Sequence, residues 1–379
     1  MVAMEVLFWL SVFGVVYPYL GYPAVLWVLG YFFGRQRQRE RGDVPFYPSV
    51  SMIIPVCNEE ARIERKITNT EALRYPSDRL QVLFVSDGSN DRTVELIRMR
   101  ASGIMTLVEL PVRQGKGAAL NAGLAHAKYD LLVFSDAAIE LEPDALRNIV
   151  QGFRDPVIGC ISGEDKIAES GGEAWYGLYE LVVRRLESRV HSIVGASGSF
   201  YAQRRELCVP FVEGMAPDFL SVLRTVERGF LAVSEPDAVG TMTSVKDSKQ
   251  EFERKVRTLI RGMTALFFYA RVLNPARFGV FAFEMLSHKV LRWSVPFFLI
   301  TALFSSVMLI DSPWFILFST VQIAFYLTAL LAFFGWSVIR HSLPGKVALY
   351  FSMVNAAILV AWLRYAKGVR QELWTPSQR

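Results

Sequence analysis

The chain has 379 residues, of which 52% are hydrophobic and 20% charged, and a formal net charge of +5. That length allows one domain of catalytic size plus something more, and so modest a positive charge, clustered beside apolar stretches, points to anionic lipid headgroups and away from nucleic acid. Cys57, Cys160 and Cys208 are odd in number and scattered among apolar neighbours, the pattern of small buried side chains in a reducing compartment and not of a disulfide framework.

In chain order, the first feature is a nearly uncharged run over residues 6–33. It is longer than the ~20 apolar residues a spanning helix needs. It also exceeds the ~7–15 residue core of a cleaved signal peptide, and no basic stretch precedes it. A retained transmembrane helix is expected over 1–34. Arg35, Arg37, Arg39 and Arg41 follow at once, and basic residues beside a span favour the cytoplasmic side. The next domain is therefore expected in the cytoplasm.

From residue 45 to 250 short apolar runs alternate with helical patterns. "VSMIIPV", "QVLFVSD", "IMTLVEL" and "DLLVFSD" are each followed by a polar or amphipathic stretch. Continuously apolar strands are usually buried on both faces, as in a parallel sheet covered by helices. The alternation predicts a doubly wound α/β layer.

Two of these strands end in an acid, Asp87 and Asp136. Ligands of open parallel sheets bind beyond the carboxyl ends of the strands. One acid at such an end can simply cap the next helix, as Ser89 or Asn90 can. Acids at two strand ends favour a ligand that attracts carboxylates. Between them, "RQGKGAALNAG" brackets Lys116 with Gly115 and Gly117 at a helix start, a place where backbone amides and the helix dipole attract anions. Carboxylates beside anion donors suggest a divalent metal bridging protein to phosphate, since Mg2+ is commonly held by one or two carboxylates plus substrate phosphates.

After the domain, "QEFERKVRTLIRGMTALFFYARVL" is a basic amphipathic helix. Phe252, Val256, Leu259, Met263, Leu266 and Phe267 fall on one side, and Arg254, Arg257 and Arg261 roughly opposite. Such a helix lies in a membrane interface or packs its apolar face on the soluble domain, and the two are compatible. Three further apolar stretches follow between Trp293 and Trp362. The basic residues around them, Arg340, Lys346, Arg364, Lys367 and Arg370, leave the number of crossings open. Aromatic runs such as "PFFLITALF" carry no row of charges, so they read as lipid-facing or packed segments and not as a channel.

The order of these motifs resembles the membrane-bound family 2 glycosyltransferases, relatives of cellulose, hyaluronan and poly-N-acetylglucosamine synthases. The resemblance runs through "SMIIPVCNEE", "VSDGSNDRT", "RQGKGAALNAG", "FSDA", "VGASGSFYAQRREL" and "APDF" followed by "RGFLAVSEPDA". It implies an α/β GT-A-like (Rossmann-like) cytoplasmic domain inserted between transmembrane helices. The expected divisions are a transmembrane helix over 1–34, the glycosyltransferase domain over 45–250, amphipathic interface helices over 251–288, transmembrane helices over 289–366 and a tail over 367–379. The resemblance also implies an integral membrane protein of a bacterial inner membrane.

By the same resemblance, Glu59 and Asp87 contact the nucleoside of a sugar nucleotide, UDP-linked before GDP-linked, and Lys116 lies close to it. Asp136 ligates Mg2+ or Mn2+ on the diphosphate, Asp218 is the general base, and Arg254 holds the diphosphate. The implied acceptor is lipid-linked or a saccharide, and the implied reaction inverts the anomeric carbon. The sequence departs from the pattern at three places. Asp136-Ala137-Ala138 lacks the second metal carboxylate, Pro217 stands where a second acid often precedes the base, and the QxxRW motif of processive synthases is absent, with "EFERK" in its place. These departures keep a non-catalytic, sugar-nucleotide-binding subunit of a polysaccharide assembly complex as the alternative.

Overall fold

The computed structural model of the chain describes residues 1–34, 46–101, 103–168, 172–208, 210–243 and 248–370. Arg35, Arg37, Arg39 and Arg41, on which the expected orientation rests, lie outside the described residues. The chain opens with α1 (Val2–Val16) and α2 (Tyr22–Phe32), joined by a π turn over Tyr17–Gly21 that contains Pro18.

The α/β domain follows as β1 (Val50–Val56), α3 (Ile63–Glu71), β2 (Leu80–Asp87), α4 (Thr93–Arg100), β3 (Met105–Leu110), α5 (Lys116–His126) and β4 (Leu131–Ser135). It continues with β5 (Glu140–Leu141), α6 (Ala145–Gln151), β6 (Ile158–Ile167), α7 (Gly172–Val190), β7 (Phe200–Arg204), α8 (Pro217–Glu227) and β8 (Leu231–Met242). The C-terminal helices are α9 (Ser248–Phe268), α10 (Pro275–Met285), α11 (Leu291–Met308), α12 (Pro313–Phe333), α13 (Ser337–His341) and α14 (Leu343–Ala366).

One eight-stranded sheet runs in the order β3-β2-β1-β4-β7-β6-β8-β5. The first four strands of the expected doubly wound layer are present and parallel, with β1 central between β2 and β4. The sheet is nevertheless mixed, because β7 runs antiparallel to both β4 and β6, and β5 antiparallel to β8. Every residue of β1, β2 and β4 is buried, which is why these runs are apolar without alternation. Alternate side chains feed two cores. Met52, Ile54, Phe84 and Val133 pack with Ile63, Ile67, Leu146 and Ile149 of α3 and α6 on one face. Ile53, Leu83, Leu132 and Phe134 pack with Leu120, Leu220 and Leu223 of α5 and α8 on the other.

Four helical stretches are long and apolar enough to cross a membrane: Val2–Phe32, Pro275–Met308, Pro313–Phe333 and Leu343–Ala366. The second begins at Pro275, inside the stretch 251–288 that was expected to lie wholly at the interface. The apolar face of α9 is also already covered. Val256, Ile260, Met263 and Leu266 are fully buried in the same core as Leu220 and Leu223 of α8 and Ala357, Ile358 and Ala361 of α14. Of the two readings of this helix, packing against the domain uses up its apolar side. The exposed apolar stripe lies instead on α7, where Trp175, Leu178 and Val182 recur at helical spacing. That helix lies beside the first span, since Tyr179 donates to the Tyr19 carbonyl at 2.9 Å and Tyr22 to Glu187 at 2.8 Å.

Candidate active site

The loops leaving β1 and β2 are tied to each other by side chains. Asn58 accepts from the Asn90 amide at 2.9 Å, the Glu59 amide donates to the Thr93 hydroxyl at 2.8 Å, and the Glu60 amide to Asp91 at 3.1 Å. Asn58 adopts φ 54, a left-handed conformation that asparagine tolerates better than most side chains. The polar cluster after "VLFVSD" thus has a structural task. Asp91, and not Ser89 or Asn90, serves the start of α4, accepting from the Thr93 amide at 3.0 Å.

Asp87 is fully buried, and both of its oxygens are engaged: the amides of Gln114 and Gly115 donate to them at 2.7 and 2.8 Å. The carboxylate at the end of β2 therefore clamps the glycine-rich turn. Gly88 makes room for that turn. Its φ is +58, and a Cβ there would lie 2.4 Å from the Arg113 nitrogen. Glu59 is also buried, with Arg62 at 3.3 Å, and removal from water pushes its carboxyl up to about 7.

The helix start predicted to attract an anion has one from its own chain. The Glu213 carboxylate lies against Gly115 and Gly117, close enough that a Cβ on Gly117 would stand 2.9 Å from Oε2. Burial raises the Glu213 carboxyl above its ordinary range, against the pull of Arg261. Lys116 turns away from this point. Its ammonium donates to Asp136 at 2.5 Å and to the Gly198 carbonyl at 3.2 Å. Lys116 thus belongs with Asp136, beyond the end of β4.

Beneath that strand end lies Lys66, fully buried, donating to the Ser135 hydroxyl at 2.8 Å and the Ile139 carbonyl at 2.7 Å. Burial pushes its ammonium down to about 7. Lys66 braces the turn that carries Asp136, and nothing in the surrounding helical pattern marks it as an interior residue.

Asp218 stands in the first turn of α8, after Pro217. It shares a narrow cleft of about 10 Å³ with Lys116, Asp136, Gly198 and Tyr201. It also lines a larger cavity of about 150 Å³ on the side of the spanning helices, with Thr258, Leu259, His288, Lys289 and Trp293. Removal from water raises the Asp218 carboxyl above its ordinary range, opposed first by Lys116 and then by the backbone, Arg261 and Lys289. A carboxylate of raised pKa is a stronger base than a free one.

Arg254 is not in this cleft. It lines a third cavity, of about 270 Å³, with Tyr176, Arg292, Val354 and Ile358. Two turns further along α9, Arg261 donates to the Met215 carbonyl at 3.0 Å and feels the charges of Glu213, Asp218 and Asp136. The arginine that α9 directs to the site is Arg261. The sequence pattern placed Arg254, Arg257 and Arg261 on one face, but not which of them meets the loop before α8.

Among the described residues no group of three or more His, Cys, Asp or Glu side chains is arranged to hold a metal. Asp136 is partly exposed at the rim of the cleft, which fits a cation taking one protein carboxylate and completing its shell with phosphate oxygens and water.

Residues 51–208 match the family model described as Glycosyl transferase family 2. Poly-beta-1,6-N-acetyl-D-glucosamine synthase of Staphylococcus aureus (strain COL) is 27% identical over 154 residues, with 38% of this chain and 37% of that protein covered. The protein of the same name from Staphylococcus epidermidis is 25% identical over 154 residues, with 38% and 37% covered. The matched region thus spans little more than a third of these relatives. Among solved structures, mannosyltransferase PcManGT from Pyrobaculum calidifontis, in complex with GDP-Man and Mn2+, superposes with a TM-score of 0.70 at 23% identity. That match covers 95% of this chain and 99% of the other, a likeness of fold that includes the flanking helices.

Proposed function

We propose, from the premise that the chain carries a glycosyl transferase family 2 domain over residues 51–208, that it moves a sugar from a nucleotide donor to an acceptor hydroxyl at a membrane surface, inverting the anomeric carbon. One observation carries this reading: Asp218 lines both the cleft that holds Asp136 and Lys116 and the cavity that faces the spanning helices. A base in that position touches donor and acceptor sides at once.

In this reading the donor nucleoside lies along the tied loops of Glu59 and Asp87, and its diphosphate reaches Asp136, Lys116 and Arg261. Asp136 would hold a divalent cation, Mg2+ or Mn2+, which when bound supplies Lewis-acid neutralisation of the leaving diphosphate. Lys116 and Arg261 add fixed positive charge where negative charge develops. Asp218 takes the proton from the acceptor hydroxyl as its oxygen attacks the anomeric carbon. The bond from that carbon to the diphosphate breaks, and the nucleoside diphosphate leaves with the electron pair. A single displacement with a single base gives inversion.

The departures at Ala138 and Pro217 do not remove any group this scheme needs. The missing tryptophan of the processive motif favours a single transfer over chain growth. We place the domain on the cytoplasmic side of a bacterial inner membrane, in polysaccharide or glycolipid synthesis, with UDP-sugars as the first donors to test and GDP-sugars next. The test is release of nucleoside diphosphate by the purified full chain across a panel of donors with Mg2+ or Mn2+, with and without a membrane-lipid extract. Lipid-stimulated release that vanishes in Asp218→Asn supports the transferase. Binding of donor without release in either protein would favour the binding-subunit reading instead.

A further inference from the structure

Beyond Asp218 the two larger cavities adjoin. The one of about 150 Å³ and the one of about 270 Å³ share Glu180, Thr258, Leu259, His288, Lys289 and Trp293. Together they lead from the candidate base to Val354 and Ile358 of α14. The adjoining cavities thus reach from a candidate reacting group at one end to an apolar spanning segment at the other.

Its polar residues are mostly satisfied within the chain. Glu180 pairs with Arg292 and, at 3.1 Å, with His288. Glu187 accepts from Tyr22 at 2.8 Å and from the Val194 amide at 3.1 Å, and lies 2.5 Å from His288. Lys255 is held by Glu251 at 3.3 Å and the Tyr350 hydroxyl at 2.9 Å.

Lys289 is the exception. Its ammonium stands 5.7 Å from the centroid of the Phe219 ring and 3.6 Å from where a Cβ on Gly195 would be. Among the described residues no carboxylate forms an ion pair with it: Glu180 and Glu187 are engaged by Arg292, His288 and Tyr22, and Asp218, on the same cavity, feels its charge without pairing. A half-buried cation at a cavity wall that shares the field of these acids but has no ion pair of its own suits a ligand that brings negative charge.

The depth suits a lipid. Lys289 lies in the π turn Leu286–Val290 that leads into α11, which packs along α1, with Ser11 and Thr301 hydroxyls 2.7 Å apart. Trp293 and Trp362 meet beside it, the Trp362 ring nitrogen donating to the Trp293 carbonyl at 2.9 Å. Trp362 stands near the end of α14, and tryptophan near the end of a span marks the headgroup region.

Resting on the reading of Asp218 as the base, we infer that the acceptor is a membrane lipid with an anionic headgroup. Its phosphate-type anion binds Lys289, a free hydroxyl of the same headgroup meets Asp218, and its tails leave past Trp293 and Ile358. The anion and the nucleophile are separate groups of one molecule, because a phosphate oxygen attacking directly would need no base.

The test is equilibrium binding to the purified full chain in neutral detergent. The probes are dioctanoyl phosphatidylglycerol, dioctanoyl phosphatidylcholine and tail-less glycerol phosphate, with UDP and GDP binding measured in parallel. The wild-type chain is expected to bind the anionic lipid about tenfold tighter than the zwitterionic one, the size of one charge-assisted hydrogen bond. Lys289→Gln should erase that preference and leave nucleotide affinity unchanged, and Lys289→Arg should keep both.

Equal binding of the two lipids overturns the proposal. So does glycerol phosphate binding as tightly as the lipid, which would mark a site for free phosphate, or a loss of nucleotide affinity in Lys289→Gln, which would assign the lysine to the donor. Should Lys289→Gln fail to fold, the lipid comparison in the wild-type and arginine forms still decides. The readout is binding, so headgroup preference without any donor turnover would sink the transferase reading and leave this site standing.

Discussion

Asp136 and Asp218 line one cleft from different elements, the turn after β4 and the first turn of α8. The sheet brings them together through β7, whose antiparallel pairing with β4 sets Phe200 beside Ser135 and delivers the chain to α8. Their different surroundings suit different roles. Asp136 is paired with Lys116, while burial raises Asp218 toward the range of a working base.

Asp218→Asn should lower nucleoside diphosphate release by about 10²–10⁴-fold, the usual contribution of a positioned base, with donor affinity kept. In the wild type, release should fall as pH drops through the pKa of Asp218 and the base is protonated. Because burial raises that pKa, the fall should begin above the ~3.9 of a free aspartate. A rate profile that is flat on the acid side would count against the assignment.

Arg261→Gln should reduce turnover more than Arg254→Gln, since Arg261 reaches the loop before α8 and Arg254 lines the cavity nearer α14. Steady-state kinetics on both variants separates them. An equal or larger loss of donor turnover in Arg254→Gln would restore Arg254 as the diphosphate ligand.

Glu59 and Lys66 should give stability opposite pH slopes. Glu59 rises from an ordinary 4.5 to about 7 on folding, so the folded chain holds the extra proton. Its stabilisation is complete below 4.5 and is lost as pH rises through 7. Lys66 falls from 10.5 to about 7, so its contribution is complete above 10.5 and is lost as pH falls through 7. Thermal midpoints of detergent-purified Glu59→Gln should lack the downward slope between those lower limits, and Lys66→Met the upward one. Unchanged slopes in both variants would refute the burial argument.

Met263→Glu should destabilise the whole fold by at least about 3 kcal/mol, the scale of an unpaired buried charge, because Met263 is fully buried. Fluorescence-detected size exclusion after heating reads this directly. A variant as stable as the parent would mean that this side of α9 is open to water and does not pack into the core.

Much of the frame was legible from residue patterns. The strands β1, β2 and β4, buried on both faces, leave uninterrupted apolar runs, and Asp87 and Asp136 stand where those runs end. What periodicity does not carry is pairing between distant elements. β7, Phe200–Arg204, is a short run of mixed polarity whose residues carry no mark of strand direction, so its antiparallel pairing was invisible. Lys66 reads as a surface residue of a polar helix, yet its stem is buried so that its amine can brace the Asp136 turn. The face of α9 was correct, but which arginine reaches the site depends on where the loop around Met215 comes to rest. Glu213 carried no motif at all. Only the fold brings it to the helix start that the glycines had marked for an anion.

The contact between Lys116 and Asp136 also has a consequence for timing. An ammonium already balances the carboxylate, so a divalent cation arriving alone must displace it and gains a single acid in return. A cation arriving with a nucleotide brings phosphate oxygens to which Lys116 can transfer. The resting chain is therefore expected to ignore free metal and to admit it only as the companion of its donor, an order of arrival written into one ion pair.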